Sequence, residues 1–386
     1  MSKSKYRGIL NKDLKLLALS DFIGAFGDGL YFYLFPLYIT TLEAGPAEVG
    51  IVYSVLYFAA AFAPLVGGFL ADKYDRKKVL LLGWLIWIPI PLIFSVAEHW
   101  SQLLVGAVLY GFWVGGPAAS AYIATSAKKD KITLTFTLIS AAWWAGYIFS
   151  PALGGYLSTI IGMRWVTRLA FILYVLSAGV LLFMSSQHAV AQSSTSPSSS
   201  FSSLRTKKMV VWSLFFALLM IVTVLARPFI PQFLQDTYSF DEFQIGILGS
   251  VTFLGSALLG LGLGRIGDRW RKPGAISVAV ILCCTSFIAL ISFGNFFALA
   301  LASFLIGVSY AIPSLIDAIV GSIAPEVSRG RWLSIPQTLS MLAAFLAPYL
   351  GGILYSASPY SPFMVAIIIT PILSILALSK PLKEEI

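Results

Sequence analysis

The stretches Gly68-Phe-Leu-Ala-Asp72-Lys-Tyr-Asp-Arg76-Lys-Lys78 and Gly264-Arg-Ile-Gly-Asp268-Arg-Trp-Arg-Lys272 carry one pattern about half the chain apart. In both, an aspartate follows a glycine by four residues, and a basic residue follows the aspartate by four more. Further matches keep the same order: Gly111 and Pro117 with Gly307 and Pro313, and Pro151-x-x-Gly154-Gly155 with Pro348-x-x-Gly351-Gly352. The repeat predicts two halves with the same plan and the same orientation.

Composition sets the class of protein. Hydrophobic residues make up 58% of the 386 residues and charged residues only 11%, whereas an average soluble domain has about 25% charged residues. A membrane span needs about 20 mostly apolar residues. Twelve such runs are present: 14–40, 47–71, 78–97, 101–125, 133–158, 165–184, 209–234, 243–264, 274–293, 296–321, 332–355 and 361–379. The sequence therefore predicts an all-α integral membrane protein with twelve transmembrane helices in two six-helix, pseudo-repeated bundles.

The predicted domain boundaries follow from the spans and from a polar tract between them. Residues 185–208 are rich in serine and end in basic residues, a composition that cannot form a core. We expect an amino-terminal six-helix bundle over 1–184, a linker over 185–208 and a carboxy-terminal six-helix bundle over 209–386.

Basic residues are distributed unevenly around the spans. Most of the 26 lysines and arginines lie before the first span, in alternate loops, in the central tract and after the last span. Such loops remain in the cytoplasm, so we expect a multi-pass protein of the cytoplasmic membrane with both termini inside the cell. This topology explains the net charge of +9, and no nucleic-acid partner is expected.

The loop stretches resemble the signature of the major facilitator superfamily of secondary transporters, with Asp75 where that signature usually has a second glycine. Residues 146–155, Gly146-Tyr-Ile-Phe-Ser150-Pro151-Ala-Leu-Gly154-Gly155, are similar to a fifth-helix motif associated with antiporters, with Ser150 in place of glycine. The equivalent packing residues of the eleventh span are Pro348, Gly351 and Gly352. The resemblance implies that helices 1, 4, 7 and 10 line a central cavity.

Four charges lie inside predicted spans, where a charge is costly and normally pairs or lines a watery path. Asp21 and Asp28 share a face of the first span, Arg227 is in the seventh and Asp317 in the tenth. We interpret them as candidates for proton coupling or substrate binding. The aromatic candidates on the lining spans are Tyr31, Trp113 and Tyr310.

Each charge has an alternative interpretation. Asp28 is also suited to a structural hydrogen bond, and Asp21 to contact with interfacial water. Arg227 is placed either to extend to the outer surface, to anchor an anion or to pair with Asp28. Asp317 is placed to bond a backbone group freed by Pro313.

The signature residues predict a gate. If the second helix ends near Asp72, then Asp72 and Arg76 lie one turn apart and can pair. We expect contacts of this kind to close the cytoplasmic side in one state, while the alternative is that the charges only set topology. The gating candidates are Gly68, Asp72, Arg76, Gly264, Asp268 and Lys272.

The function hypothesis is a secondary active transporter, not an enzyme. We expect it to move a small organic solute by alternating access, coupled to protons, with efflux favoured over a proton symporter or uniporter for uptake of a sugar, amino acid or organic acid. A membrane receptor or enzyme is the remote alternative. Adjacent Cys283 and Cys284 have no metal-site spacing, so neither a metal nor a cofactor is expected. The expected partners are the solute, protons and the lipid bilayer, and we expect a monomer.

Overall fold

The computed structural model describes residues 9–188, 207–269, 272–323 and 338–378, and among these residues no strand occurs. The side chains of Asp268, Lys272 and Asp317 lie outside the described part. Most of the predicted linker, at 189–206, also lies outside it.

The described chain forms twelve helical spans at the predicted places, which confirms the predicted fold class. The amino-terminal half contains α1 (Lys12–Phe32, then Phe35–Thr40), α2 (Pro46–Lys73), α3 (Arg76–Trp87, then Pro89–Val96), α4 (Leu103–Gly111, then Gly115–Ser126), α5 (Ile132–Ile161) and α6 (Met163–Leu181). The carboxy-terminal half contains α7 (Lys207–Ala226, Arg227–Phe229 and Ile230–Tyr238), α8 (Glu242–Arg269), α9 (Lys272–Ser292), α10 (Phe296–Ile306, then Val308–Ile323), α11 (Thr338–Ala357) and α12 (Ser361–Ala377).

Ten of these spans are both long enough and apolar enough to cross a membrane. The helix α12 is also apolar but shorter. The helix α1 carries the buried and half-buried aspartates that lower its hydropathy. With α1 and α12, the ten spans make twelve.

Several spans are interrupted, a feature that the apolar runs alone did not predict. Proline has no backbone N–H and so ends the hydrogen-bond ladder of the preceding turn. Pro36 and Pro89 lie at the start of the second pieces of α1 and α3, and Pro228 lies in the 3-10 turn of α7. The interruption of α7 begins at Arg227, the first residue of that turn.

The two halves meet through matched glycine contacts. A Cβ atom added to Gly246 of α8 would lie 2.3 Å from the carbonyl oxygen of Pro151 in α5. At the equivalent place, a Cβ atom added to Gly50 of α2 would lie 2.3 Å from the carbonyl oxygen of Pro348 in α11. Only glycine permits two helix backbones to approach this closely.

A second matched pair lies nearer the end of the molecule that carries Glu43 and Asp241, which we call the acidic end. Cβ atoms added to Gly155 and Gly352 would approach carbonyl oxygens across the bundle interface, at Glu242 for the former and at Pro46 for the latter. The two bundles are therefore in tight contact at the acidic end. The opposite end, which carries Lys12, Lys73 and Arg76, is the basic end.

Candidate functional site

The Asp28 carboxylate lies inside the amino-terminal bundle. Asp28 is on α1 and is fully buried. Tyr110 of α4 donates a 2.7 Å hydrogen bond to Oδ2, Tyr147 of α5 donates to the same oxygen, and Tyr174 of α6 donates a 2.7 Å bond to Oδ1. The hydroxyls of Tyr31 and Tyr174 lie 3.1 Å apart, so the network returns to α1. We call these five residues the Asp28 cluster.

Aromatic rings enclose the Asp28 cluster. Trp87 of α3 stacks on Tyr110 at a centroid distance of 4.9 Å, and its Nε1 donates a 3.1 Å bond to the Tyr110 carbonyl. Phe32, one turn beyond Asp28, stacks on Tyr110 at 5.9 Å and meets Tyr147 edge-on at 6.2 Å. A carboxylate removed from water needs protein hydrogen-bond donors to replace the water molecules that it has lost. The tyrosine hydroxyls supply those donors.

Arg227 lies between the two bundles. Its guanidinium donates a hydrogen bond to the hydroxyl of Tyr57 on α2, and its Cζ atom lies 4.5 Å from the centre of the Tyr310 ring on α10. A guanidinium is attracted to the face of an aromatic ring. The side chain therefore links α7 with both bundles, rather than extending to the outer surface.

Arg227 also lines a cavity at the bundle interface. In this state the cavity is narrow and partly open to solvent. The lining residues are mostly rings: Phe32, Tyr33, Pro36, Tyr53, Tyr57, Arg227, Pro228, Pro231 and Tyr310. Ligand sites in proteins commonly combine such apolar walls with a few polar groups that fix orientation.

The structure separates fully buried Asp28 from partly buried Arg227, two charges that the sequence allowed to pair. All hydrogen bonds described for Asp28 come from tyrosine hydroxyls, while Arg227 contacts Tyr57 and Tyr310. The predicted alternative of an Asp28–Arg227 pair is therefore not seen. Phe32 is common to both places, because it packs on the Asp28 cluster and also lines the cavity.

The other sequence candidates take different positions. Tyr31 belongs to the Asp28 cluster, not to the cavity wall, because its ring packs against Phe94 inside the amino-terminal bundle. Trp113 packs on Trp87 at 4.7 Å, whereas Tyr310 does line the cavity. Asp21 is half-buried and makes no hydrogen bond or ion pair with any described residue.

The candidate proton site includes residues that sequence reasoning did not single out. Tyr110, Tyr147 and Tyr174 lie on different helices, and no spacing in the chain connects them. Only Tyr147 had a local signal, because it follows Gly146 in the fifth-helix motif. Asp317 lies on α10, and its side chain is outside the described part.

The signature at the basic end differs from its predicted geometry. Asp72 is exposed and forms no ion pair among the described residues. The Arg76 side chain instead donates bonds to Thr125 Oγ1 and Gln187 Oε1, each 2.7 Å long, and to the Ala121 carbonyl at 3.2 Å. The expected Asp72–Arg76 pair is therefore absent in this state, because Arg76 is engaged by α4 and by the chain after α6.

The residues that follow the signature aspartate also fix the end of α6. Asp75 caps α3 by accepting a 3.1 Å bond from the Lys78 N–H. The Lys77 ammonium donates 2.7 Å bonds to the carbonyls of Leu182 and Met184. The basic loop thus ties the start of the predicted linker to the amino-terminal bundle.

The signature glycines, Gly68 and Gly264, are not in close contact with other described residues in this state. A Cβ atom added to Gly68 or to Gly264 would have no described atom within 4 Å. The acidic-end glycines, by contrast, lie against backbone atoms of the opposite bundle. The molecule is therefore tightly closed at its acidic end, while these two glycines at the basic end remain open.

Two repeated six-helix bundles, a cavity between them and charges buried near that cavity define a membrane transporter. The family model described as Major Facilitator Superfamily matches residues 17–227 and again residues 217–385. The chain belongs to this superfamily of transporters and is not an enzyme.

Relatives in the superfamily match most of the chain. It is 25% identical over 358 residues to "Multidrug resistance protein MdtG" of Proteus mirabilis (strain HI4320). The aligned region covers 88% of each chain. It is 21% identical over 371 residues to "Quinolone resistance protein NorA" of Staphylococcus aureus (strain COL), which covers 93% of this chain and 94% of the relative.

Solved structures share the fold. The crystal structure of nucleoside transporter NupG superposes with a TM-score of 0.74 at 17% identity, covering 95% of this chain and 97% of that chain. An inward-facing, occupied bacterial homologue of the human lysosomal transporter Spinster gives a TM-score of 0.68 at 16% identity, covering 96% and 92%.

Proposed function

We propose that this transporter exports a small organic solute across the cytoplasmic membrane in exchange for protons, by alternating access. In this proposal both termini face the cytoplasm, the acidic end faces outward, and Asp28 carries the coupled proton.

The Asp28 cluster is the observation that carries the proposal. Its carboxylate accepts three tyrosine hydroxyls in a fully buried place. When a proton binds to the Asp28 carboxylate, the protonated oxygen becomes a hydrogen-bond donor. A tyrosine hydroxyl that donated to this oxygen must then turn or move away. Protonation therefore rearranges contacts among α1, α4, α5 and α6, as proton coupling requires.

The direction of transport is supported by the relatives. The names of MdtG and NorA refer to multidrug resistance and quinolone resistance. Resistance through a transporter is most simply explained by removal of the compound from the cell. We extend this direction to the present chain as part of the proposal.

Alternating access is supported by the contrast between the two ends. The acidic end is closed by glycine contacts between bundles, whereas Gly68 and Gly264 at the basic end have open space beside them. A rocking motion that brings the basic ends together would use that space and would separate Gly246 from Pro151. In this proposal, the exposed carboxylate of Asp72 takes part in that second closure.

The test is solute flux in proteoliposomes. Purified protein is reconstituted with a pH indicator inside, a proton gradient is imposed with the lumen acidic, and a quinolone is added outside. We expect the quinolone to accumulate, the lumen to lose protons as it does so, and both effects to vanish when the gradient is collapsed. Quinolone that accumulates only with protons moving in the same direction would show symport instead, and uptake that ignores the gradient would show a uniporter.

A further inference from the structure

The charge of the cavity carries an inference about the class of solute. Arg227 is the charged residue among the described lining side chains, and its two contacts, Tyr57 and Tyr310, are both neutral. Arg227 is partly buried, and a cation that is partly removed from water is stabilised when an anion pairs with it. Among the described residues no carboxylate forms that pair.

The buried carboxylate of α1 already has its hydrogen-bond partners elsewhere. Asp28 is fully buried and accepts bonds from Tyr110, Tyr147 and Tyr174. Phe32 packs on Tyr110 and Tyr147 of the Asp28 cluster and also lines the cavity, whereas Asp28 itself is not among the lining residues. The cavity therefore presents a positive charge, while the negative charge is enclosed.

The guanidinium also has donors to spare. Arginine carries five N–H groups in a fork that matches a carboxylate. Only the bond to Tyr57 is described for Arg227. The walls around it are rings and prolines, including Phe32, Tyr53 and Tyr310, and flat apolar walls favour a flat apolar body.

We propose that the cavity binds a planar organic anion, with its carboxylate on Arg227 and its ring against the aromatic wall. The inference rests on the proposed transport function and names the substrate class of the same cavity. A planar cation of equal size is disfavoured there, because it would meet the guanidinium without a described carboxylate to offset the repulsion.

The test compares two probes of the same ring and nearly the same size, the anion 2-naphthoate and its neutral amide, 2-naphthamide. Both are titrated into purified protein in lipid nanodiscs by calorimetry, without any gradient. We expect wild-type protein to bind the naphthoate at least about tenfold more tightly, the value of one charge-assisted hydrogen bond. Equal binding of the two probes, or no binding of either, would overturn the proposal.

Two substitutions locate the effect. Arg227→Gln should remove the preference, while Arg227→Lys should keep part of it. Arg168→Gln is the matched control, since Arg168 lies 4.3 Å from the Trp165 ring on α6, away from the cavity lining. Preference that survives Arg227→Gln in monodisperse protein, or that disappears equally in Arg168→Gln, would contradict the site.

The outcome separates this inference from the transport proposal. Binding with the expected preference, but without gradient-driven flux of any probe, supports the anion site and contradicts the proposed transport. Flux of a quinolone without any preference for naphthoate supports transport and overturns the anion site.

Discussion

Tyr147 of α5 and Phe253 of α8 form a ring contact across the two bundles, with centroids 4.8 Å apart. The same tyrosine donates a hydrogen bond to Asp28. Any motion that separates α5 from α8 therefore acts on a donor to the buried carboxylate. Conversely, a proton on Asp28 changes what the Tyr147 hydroxyl can donate to. Protonation of Asp28 and separation of α5 from α8 therefore share one residue, Tyr147.

The first prediction tests this link by a substitution at Asp28. Asp28→Asn keeps the size of the side chain and removes its titratable proton. We expect solute accumulation driven by a pH gradient to be lost, while exchange of labelled for unlabelled solute at equal pH persists, because exchange does not require proton release. Both rates are measured in the same proteoliposome preparation, with Asp241→Asn at the exposed acidic end as the control.

Removing a single donor gives a graded version of the same test. Tyr147→Phe deletes one hydroxyl but keeps the ring contact with Phe253. A hydrogen bond to a charged group contributes about 1.5–3 kcal/mol, so we expect gradient-driven transport to fall by about tenfold or more. Tyr156→Phe, an exposed position on the same helix, should change nothing. Equal rates in the two variants would contradict a role for the Tyr147 hydroxyl.

The second prediction concerns closure of the acidic end. Gly246→Val places a branched side chain against the Pro151 backbone, where even a Cβ atom would lie 2.3 Å from the carbonyl oxygen. We expect the variant to favour states in which α5 and α8 are apart at that end. Gly262→Val is the matched control on the same helix, because a Cβ atom there has no described atom within 4 Å.

The measurement is a distance between the bundles at the acidic end. Spin labels are attached at Ser101 and Ser292 in a variant whose two native cysteines are replaced by alanine. Pulsed electron spin resonance should show a longer distance population in Gly246→Val than in Gly262→Val. Identical distance distributions would mean that this glycine contact does not control closure.

The number and order of the spans and the equivalence of the two halves could be predicted from the sequence, because apolar run length and the glycine–proline repeat depend on local residues. The Asp28 cluster could not be predicted in full, because its tyrosines come from α4, α5 and α6 and meet only after the bundle forms. The same limit applies to Tyr57, which reaches Arg227 from the other half of the chain. Long-range packing, not a local sequence pattern, brings together the residues of the Asp28 cluster and the residues around Arg227.

The third prediction concerns orientation in the membrane. From the basic residues of alternate loops we predict that Ser2, Thr195 and Glu384 lie in the cytoplasm, and Glu43 and Asp241 outside. Single cysteines at the first three positions should resist a membrane-impermeant reagent added to intact cells and react after permeabilisation. Cysteines at the last two should react in intact cells. Reaction of position 195 from outside would reverse the proposed orientation of the transport cycle.

The last prediction separates the two charges of the loop signature. Arg76 holds the chain after α6 through Gln187, whose carbonyl also accepts a 2.9 Å bond from the Arg76 N–H. Asp72 is exposed and has no described ion-pair partner. We therefore expect Arg76→Gln to speed hydrogen–deuterium exchange in residues 182–188 by several-fold, and Asp72→Asn to leave that segment unchanged.

In the proposed cycle, the charge of Asp72 finds a partner when the bundles meet at the basic end, so we expect Asp72→Asn to affect the state that is closed there. Labelling of a cysteine at Phe69, an exposed position one turn before Asp72 on α2, reports this closure. With solute present, we expect Asp72→Asn to keep this cysteine accessible while the parent protects it. Protection equal to that of the parent would limit Asp72 to a role in topology, and faster exchange at 182–188 in Asp72→Asn would contradict the separation of roles between the two residues.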